Sequence, residues 1–201
     1  MSRRTKPSAW LPALGVGLGL VLLLWAAHLY PGGSDADPGS AGYDWSRNFI
    51  SALFGPTAIN GQPNPGRGFA AAGLALWCIA LGFSFWRISR YTASPRLAKV
   101  LEISGIGSAV YALLVATPMH DLMVTIGLGF SLTAISTTVV ILARNREWPL
   151  FAWGCLSLAL SGLSASLYFS GAGAEVLPLI QKVNVSSLAG WILTVNATRL
   201  R

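Results

Sequence analysis

The sequence predicts an all-α polytopic membrane protein: a transmembrane six-helix bundle with a short interfacial helix in its first outer loop. Three observations predict it. The 201 residues are 53% hydrophobic and only 10% charged, against about 25% charged residues in an ordinary soluble domain. Six apolar stretches reach or approach the roughly 20 residues that cross a bilayer. The basic residues alternate between successive connections, as they do in a chain threaded back and forth through a membrane.

The stretches run over residues 10–29, 68–86, 100–117, 122–143, 150–170 and 176–197, and residues 1–201 form a single membrane domain. The first follows Arg3, Arg4 and Lys6, so a signal peptide competes for it. Its apolar run is longer than a typical signal core, and Ala26-Ala27 is a poor cleavage site, so it is expected to be a retained span. The 22 glycines and 11 prolines fit loops between spans, and glycine is also frequent within membrane helices.

Direction follows from the short connections. Arg3, Arg4, Lys6, Arg87, Arg90, Arg96, Lys99, Arg144, Arg146, Arg199 and Arg201 fall on one side, and only Arg47, Arg67 and Lys182 on the other. Basic residues mark the cytoplasmic side, so both termini are expected in the cytoplasm and the protein in a bacterial-type inner membrane. The acidic residues partition oppositely: Asp35, Asp37, Asp44, Asp121 and Glu175 lie outside, Glu102 and Glu147 inside. Glu102 follows Lys99 by one helical turn, a spacing that predicts a pair.

The net charge of +7 does not indicate nucleic acid. The cations sit at the ends of apolar runs, not in a patch with stacking aromatics, and there they face anionic lipid. Cys78 and Cys155 each lie inside an apolar run and form no CxxC pair. They read as small buried hydrophobes, with no metal or redox motif.

One connection is long. Residues 30–67 join the first two spans, and loops of this length are usually functional or disordered. Pro31 to Gly42 is rich in Pro, Gly, Ser and Asp and reads as flexible linker. Residues 43–54 read as an amphipathic interfacial helix, with Trp45, Phe49, Ile50 and Leu53 toward one face and Asp44, Arg47, Asn48 and Ser51 largely on the other. Gly55-Pro56 ends it, and a turn-rich approach from Asn60 to Gly66 leads into the second span.

The segment Arg47-Asn-Phe-Ile-Ser-Ala-Leu53 resembles the N-x-I-S-x-L element of an uncharacterised six-span bacterial membrane family, distantly similar to the DRAM/FRAG-type membrane proteins. The turn Asn64-Pro-Gly-Arg67 and His120 near the outer start of the fourth span resemble that family too. The resemblance implies the six-span layout and draws attention to Asn48, Ser51, Arg67 and His120; it supplies no reaction. The acidic residue that usually follows Ser in the element is replaced here by Ala52.

Polar groups converge on the outer face, and three functional readings compete for them. The first is binding of an anionic group such as a lipid phosphate by Arg47, Asn48, Arg67, His120 and Lys182, since arginine suits bidentate phosphate contacts. A protein partner or a second copy of the chain is the alternative occupant. The second is a membrane-embedded hydrolase using His120 and Asp121, with Ser51 as candidate nucleophile, though no recognised nucleophile motif surrounds it. The third is a metal site from His28, His120, Asp44 and Asp121, just enough ligands for a catalytic zinc. Against these stand structural roles: Arg47 pairing with Asp44, Asp121 favouring the amino end of the fourth span, and Asn48 and Ser51 satisfying loop backbone groups.

No cofactor is identified. Haem needs facing histidines inside a bundle, and both histidines lie at the outer rim. Lys182 is too near the surface for a retinal Schiff base. The spans lack the intramembrane charges of channels and pumps and a visible inverted repeat. Ser157, Ser161 and Ser164 share one helical face, and Gly15 and Gly19 form a GxxxG pair; both patterns favour close helix packing. The sequons at Asn184 and Asn196 fall in a predicted span and are discarded.

Overall fold

A computed structural model describes residues 10–171, 173 and 175–199. Arg3, Arg4, Lys6 and Arg201, used above to orient the chain, lie outside them. The described chain is all helical: α1 (Leu11–His28), α2 (Arg67–Ser89), α3 (Pro95–Leu114), α4 (His120–Arg144), α5 (Trp148–Ser170) and α6 (Leu177–Arg199), with one 3₁₀ helix, Ile50–Phe54. The first five helices are long and apolar enough to cross a membrane. α6 matches α2 and α5 at 23 residues but is more polar.

Local chemistry sets the helix ends. Prolines sit in the first turns of α1, α3 and α5, where a missing N–H costs nothing. Ser94 caps α3 by accepting from the Leu97 N–H at 3.4 Å. α5 stops at Gly171, whose φ of 67° is the left-handed conformation that ends many helices. α3 therefore starts five residues before the expected Val100. The apolar run alone misses its first turns, because these carry Arg96 and Lys99 while Ser94-Pro95 sets the start.

Each helix packs on the next, and α6 returns against α2 and, more lightly, α1. The α1–α2 approach is closest at glycines. A Cβ at Gly19 would stand 2.7 Å from the Gly73 carbonyl oxygen, and one at Gly73 2.8 Å from that of Gly19. The GxxxG pair thus lies against α2, as small residues do where backbones meet.

Two hydrophobic clusters form. One joins Phe85, Ile88, Leu101, Ile135, Trp191 and Ile192 from α2, α3, α4 and α6. Trp191 is fully buried against Gly154, and its indole N–H donates to the Leu150 carbonyl at 2.8 Å. The other gathers Ala26, Tyr30, Leu53, Phe54, Ala58 and Ala70 beneath the long loop.

The serine face of α5 meets α6. Ser161 donates to Asn184 Oδ1 at 3.0 Å, Ser157 and Ser187 lie 3.2 Å apart, and the Trp153 N–H reaches Ser187 at 3.1 Å. Thr133, Thr137 and Thr138 of α4 each donate to the carbonyl one turn earlier in their own helix.

Candidate functional site

The long loop is folded, and both halves differ from their sequence expectation. Pro31 to Gly42 is an ordered strap. Gly32 pairs with Ala41 in an antiparallel bridge, Ser34 is fully buried, and Asp37 closes a tight turn through Ser34, Gly39 and Ser40. Its glycines are required. Gly33 has φ +86°, and a Cβ there would collide with the backbone of Asn60.

The amphipathic helix expected over residues 43–54 is instead a turn at Asp44–Asn48, an extended Phe49 (φ −69°, ψ 153°) and the 3₁₀ helix. Asp44 causes the break. Its carboxylate accepts from the Ser46 N–H and hydroxyl at 2.8 and 2.6 Å and from the Arg47 N–H at 3.2 Å. Short polar side chains that bond neighbouring N–H groups favour turns over helices. Trp45 and Leu53, expected on one face, separate: Trp45 is exposed and Leu53 buried.

Asn48 is the pivot of this loop, at 1% exposure. Its amide nitrogen donates to the Gly33 carbonyl at 2.7 Å, and its amide oxygen accepts from the Asp44 N–H at 2.8 Å. Its backbone carbonyl accepts from the Tyr43 hydroxyl at 3.2 Å and from the Lys182 ammonium. Lys182 also donates to the Pro178 carbonyl and lies 5.6 Å above the Tyr43 ring. Next to it on α6, Gln181 accepts from the Ile50 N–H at 3.1 Å. α6 thus grips the loop backbone on both sides of Phe49.

Asn64 plays the same part lower in the loop. Its amide donates to the Leu53 and Gly55 carbonyls and accepts from the Gly66 N–H. Arg67, exposed at the start of α2, uses its Nε–H on the Phe54 carbonyl at 3.1 Å. Arg47 is also exposed, with 54% of its side chain accessible and its guanidinium 3.9 Å from Asp44.

Within the loop itself, Asp44 and Tyr43 are shifted by these surroundings. The Asp44 carboxyl is held below its usual range, first by the Ser46 hydrogen bonds and also by Arg47. Burial pushes the Tyr43 phenol well above its ordinary value, with Tyr30 and Asp44 adding to the effect.

His120 and Asp121 form a second, separate cluster. The imidazole Nδ1 lies 2.9 Å from Asp121 Oδ1, and the Tyr168 hydroxyl of α5 donates to the same oxygen at 2.8 Å. No hydrogen bond links Ser51 to His120 among the described residues. Nor do three His, Cys, Asp or Glu side chains gather there to hold a metal ion. The expected set is dispersed: the His28 ring lies tilted against Trp25 at the end of α1, Asp44 is held in its turn, and His120 and Asp121 open α4.

The structure therefore joins Asn48 to Lys182 and places Arg47 on the loop and Arg67 at the start of α2, against the loop's Phe54 carbonyl. Asn48 and Lys182 are taken up by the fold. Tyr43, Asn64, Gln181 and Tyr168 contribute as much as the residues the sequence singled out. Asn64 sits in the turn motif already noted, while Gln181 and Tyr168 carry no local signal, because their partners lie 131 and 47 residues away in the chain. No family model matches this chain, and no curated protein or solved structure matches it.

Proposed function

We propose that the chain is a six-span protein of a bacterial-type inner membrane, with both ends cytoplasmic, that binds an anionic lipid head group on its outer face. The sixth span is supported by how α6 uses its polar residues. Gln181 and Lys182 bond the loop, Asn184 and Ser187 bond α5, and Thr194, Asn196 and Thr198 bond α6's own carbonyls. Polar side chains bonded in this way are compatible with burial in a membrane, though the buried Asn196 Oδ1 has no hydrogen-bond partner among the described residues. The resemblance of Asn48–Leu53 and Asn64–Arg67 to a six-span bacterial family belongs to the same reading.

One observation carries the binding function. The loop's buried amides are satisfied internally, while Arg47 and Arg67 stay solvent-exposed beside it, each held at one guanidinium nitrogen, Arg47 near Asp44 and Arg67 on the Phe54 carbonyl. Preorganised cations at a membrane surface suit a phosphodiester. Calorimetric titration of the detergent-solubilised full chain with short-chain phosphatidylglycerol tests this. Saturable binding weakened about thirtyfold in Arg47→Ala/Arg67→Ala is expected, two surface cations at about 1 kcal/mol each being worth that much. Equal affinity in the variant contradicts the site.

The second reading, a membrane hydrolase, rests on the His120–Asp121 contact at 2.9 Å, which orients one imidazole as a general base requires. Hydrolysis of a lipid ester abolished by His120→Ala supports it, and no turnover of any phospholipid ester sinks it.

A further inference from the structure

The opposite end of the bundle carries a cation cleft of its own. Between the end of α2 and the start of α3 lies a hollow of about 270 Å³ lined by Ser89, Arg90, Pro95, Ala98, Lys99 and Glu102. Arg90 is fixed by its guanidinium lying 5.0 Å over the Trp86 ring. The pair expected between Lys99 and Glu102 does not form. Among the described residues, no carboxylate lies within 4.0 Å of Arg90, Arg96 or Lys99.

The first turn of α3 contains no acidic residue. The partial positive charge of a helix amino end therefore adds to these cations instead of being offset. Glu102 lines the cleft but is ion-paired with none of these cations among the described residues.

On the α4 side of the same helix, and one turn deeper, runs a groove of about 510 Å³ lined by Val100, Ile103, Ser104, Ile126, Gly129, Phe130 and Thr133. It is predominantly apolar. Lys99, Ile103, Ile106 and Val110 follow one another down a single exposed face of α3. Lys99 lines the cleft and Ile103, one turn further along the same exposed face, lines the groove, so the two hollows adjoin across α3; a charged cleft beside an apolar groove has the polarity profile of a phospholipid.

We propose that cleft and groove together hold one anionic phospholipid, its phosphodiester between Arg90 and Lys99 and an acyl chain against Ile103 and Phe130. Glu102 on the cleft wall selects among phosphates: it disfavours a dianionic monoester and can accept a hydrogen bond from a hydroxyl of a glycerol head group. The assignment to the cytoplasmic leaflet rests on the topology proposed above. The cleft itself is independent of the outer arginines.

Native mass spectrometry of the full chain released from nanodiscs tests the proposal, with phosphatidylglycerol compared to phosphatidylcholine. Wild type is expected to retain phosphatidylglycerol, and Arg90→Gln/Lys99→Gln to weaken its binding about thirtyfold. Arg144→Gln/Arg146→Gln removes the same charge from the neighbouring turn and is expected to leave occupancy unchanged. Gly129→Leu fills the groove, since a Cβ there meets nothing within 4 Å, and is expected to displace the lipid without touching a cation. Arg47→Ala/Arg67→Ala is expected to have no effect on this lipid, which separates the two sites. Equal loss in both glutamine variants assigns the effect to general surface charge and overturns the site. Displacement by millimolar inorganic phosphate, with Gly129→Leu silent, identifies a phosphate site and overturns the lipid. If Arg90→Gln/Lys99→Gln fails to fold, undiminished lipid retention in Gly129→Leu overturns the proposal alone.

Discussion

At Asn48 a single amide does the work of several loop contacts. Both ends of its side chain reach backbone groups, so replacing it strands the buried Gly33 carbonyl. Asn48→Ala is expected to cost about 1–3 kcal/mol, the range for an unsatisfied buried polar group. Arg47→Ala breaks only an exposed pair at 3.9 Å and is expected to cost under about 1 kcal/mol. Equilibrium unfolding in mixed detergent measures both, and equal costs would contradict the assigned roles.

Asp44 adds a pH dependence at the same scale. Its folded carboxyl titrates below the unfolded value, which is about 3.9. Its stabilising effect is therefore complete above that unfolded value and is lost as pH falls through the folded one. Loop stability is expected to decline only on the acid side of about pH 4, and Asp44→Asn to flatten that decline. Hydrogen exchange at the Ser46 and Arg47 amides across this range checks it; an unchanged acid limb in Asp44→Asn would assign the decline to another group.

At the scale of elements, α5 and α6 are joined by a seam of hydroxyl, amide and indole contacts. Interhelical hydrogen bonds in membrane bundles average about 0.6 kcal/mol. A double-mutant cycle on Ser161→Ala and Asn184→Ala is expected to return a coupling of that size, and a coupling of zero would mean the 3.0 Å bond adds nothing to packing. Gly19→Leu is expected to perturb far more, because α2's backbone occupies the space its side chain needs.

The elements themselves were legible because apolar runs are local signals, whereas the α3 start at Ser94-Pro95 was missed because its first turns carry charge. The serine face of α5 was legible as a packing face, though not its partners. The loop was not legible, for a physical reason. Its conformation is set by Asp44 closing a turn in place of a helix, by Gly33 passing beneath Asn60, and by Gln181 and Lys182 arriving from the far end of the chain. None of these is a periodic pattern. The candidate residues were accordingly half readable: Arg47 and Arg67 remain on an open surface, whereas Asn48 and Lys182 are committed to holding that surface in shape.

At the scale of the whole molecule, the account has one bundle with two unlike ends. A folded loop and the start of α2 carry Arg47 and Arg67 at one end, and the cations of the α2–α3 and α4–α5 turns mark the other. In the six-span arrangement proposed above, these ends lie in different compartments. If α6 fails to cross, the contacts of Gln181 and Lys182 with the loop and the burial of Trp191 must arise in a chain that ends on the outer side.

Impermeant maleimide labelling of intact cells decides this most directly. In a background with Cys78→Ala and Cys155→Ala, single cysteines replace exposed residues at each end: Ala36 and Glu175 at the loop end, Ala93 and Thr198 at the other. The account predicts labelling of Ala36→Cys and Glu175→Cys in intact cells, and of Ala93→Cys and Thr198→Cys only after permeabilisation. Labelling of Thr198→Cys in intact cells alongside Glu175→Cys would contradict the sixth crossing, and labelling of Ala93→Cys in place of Ala36→Cys would reverse the orientation.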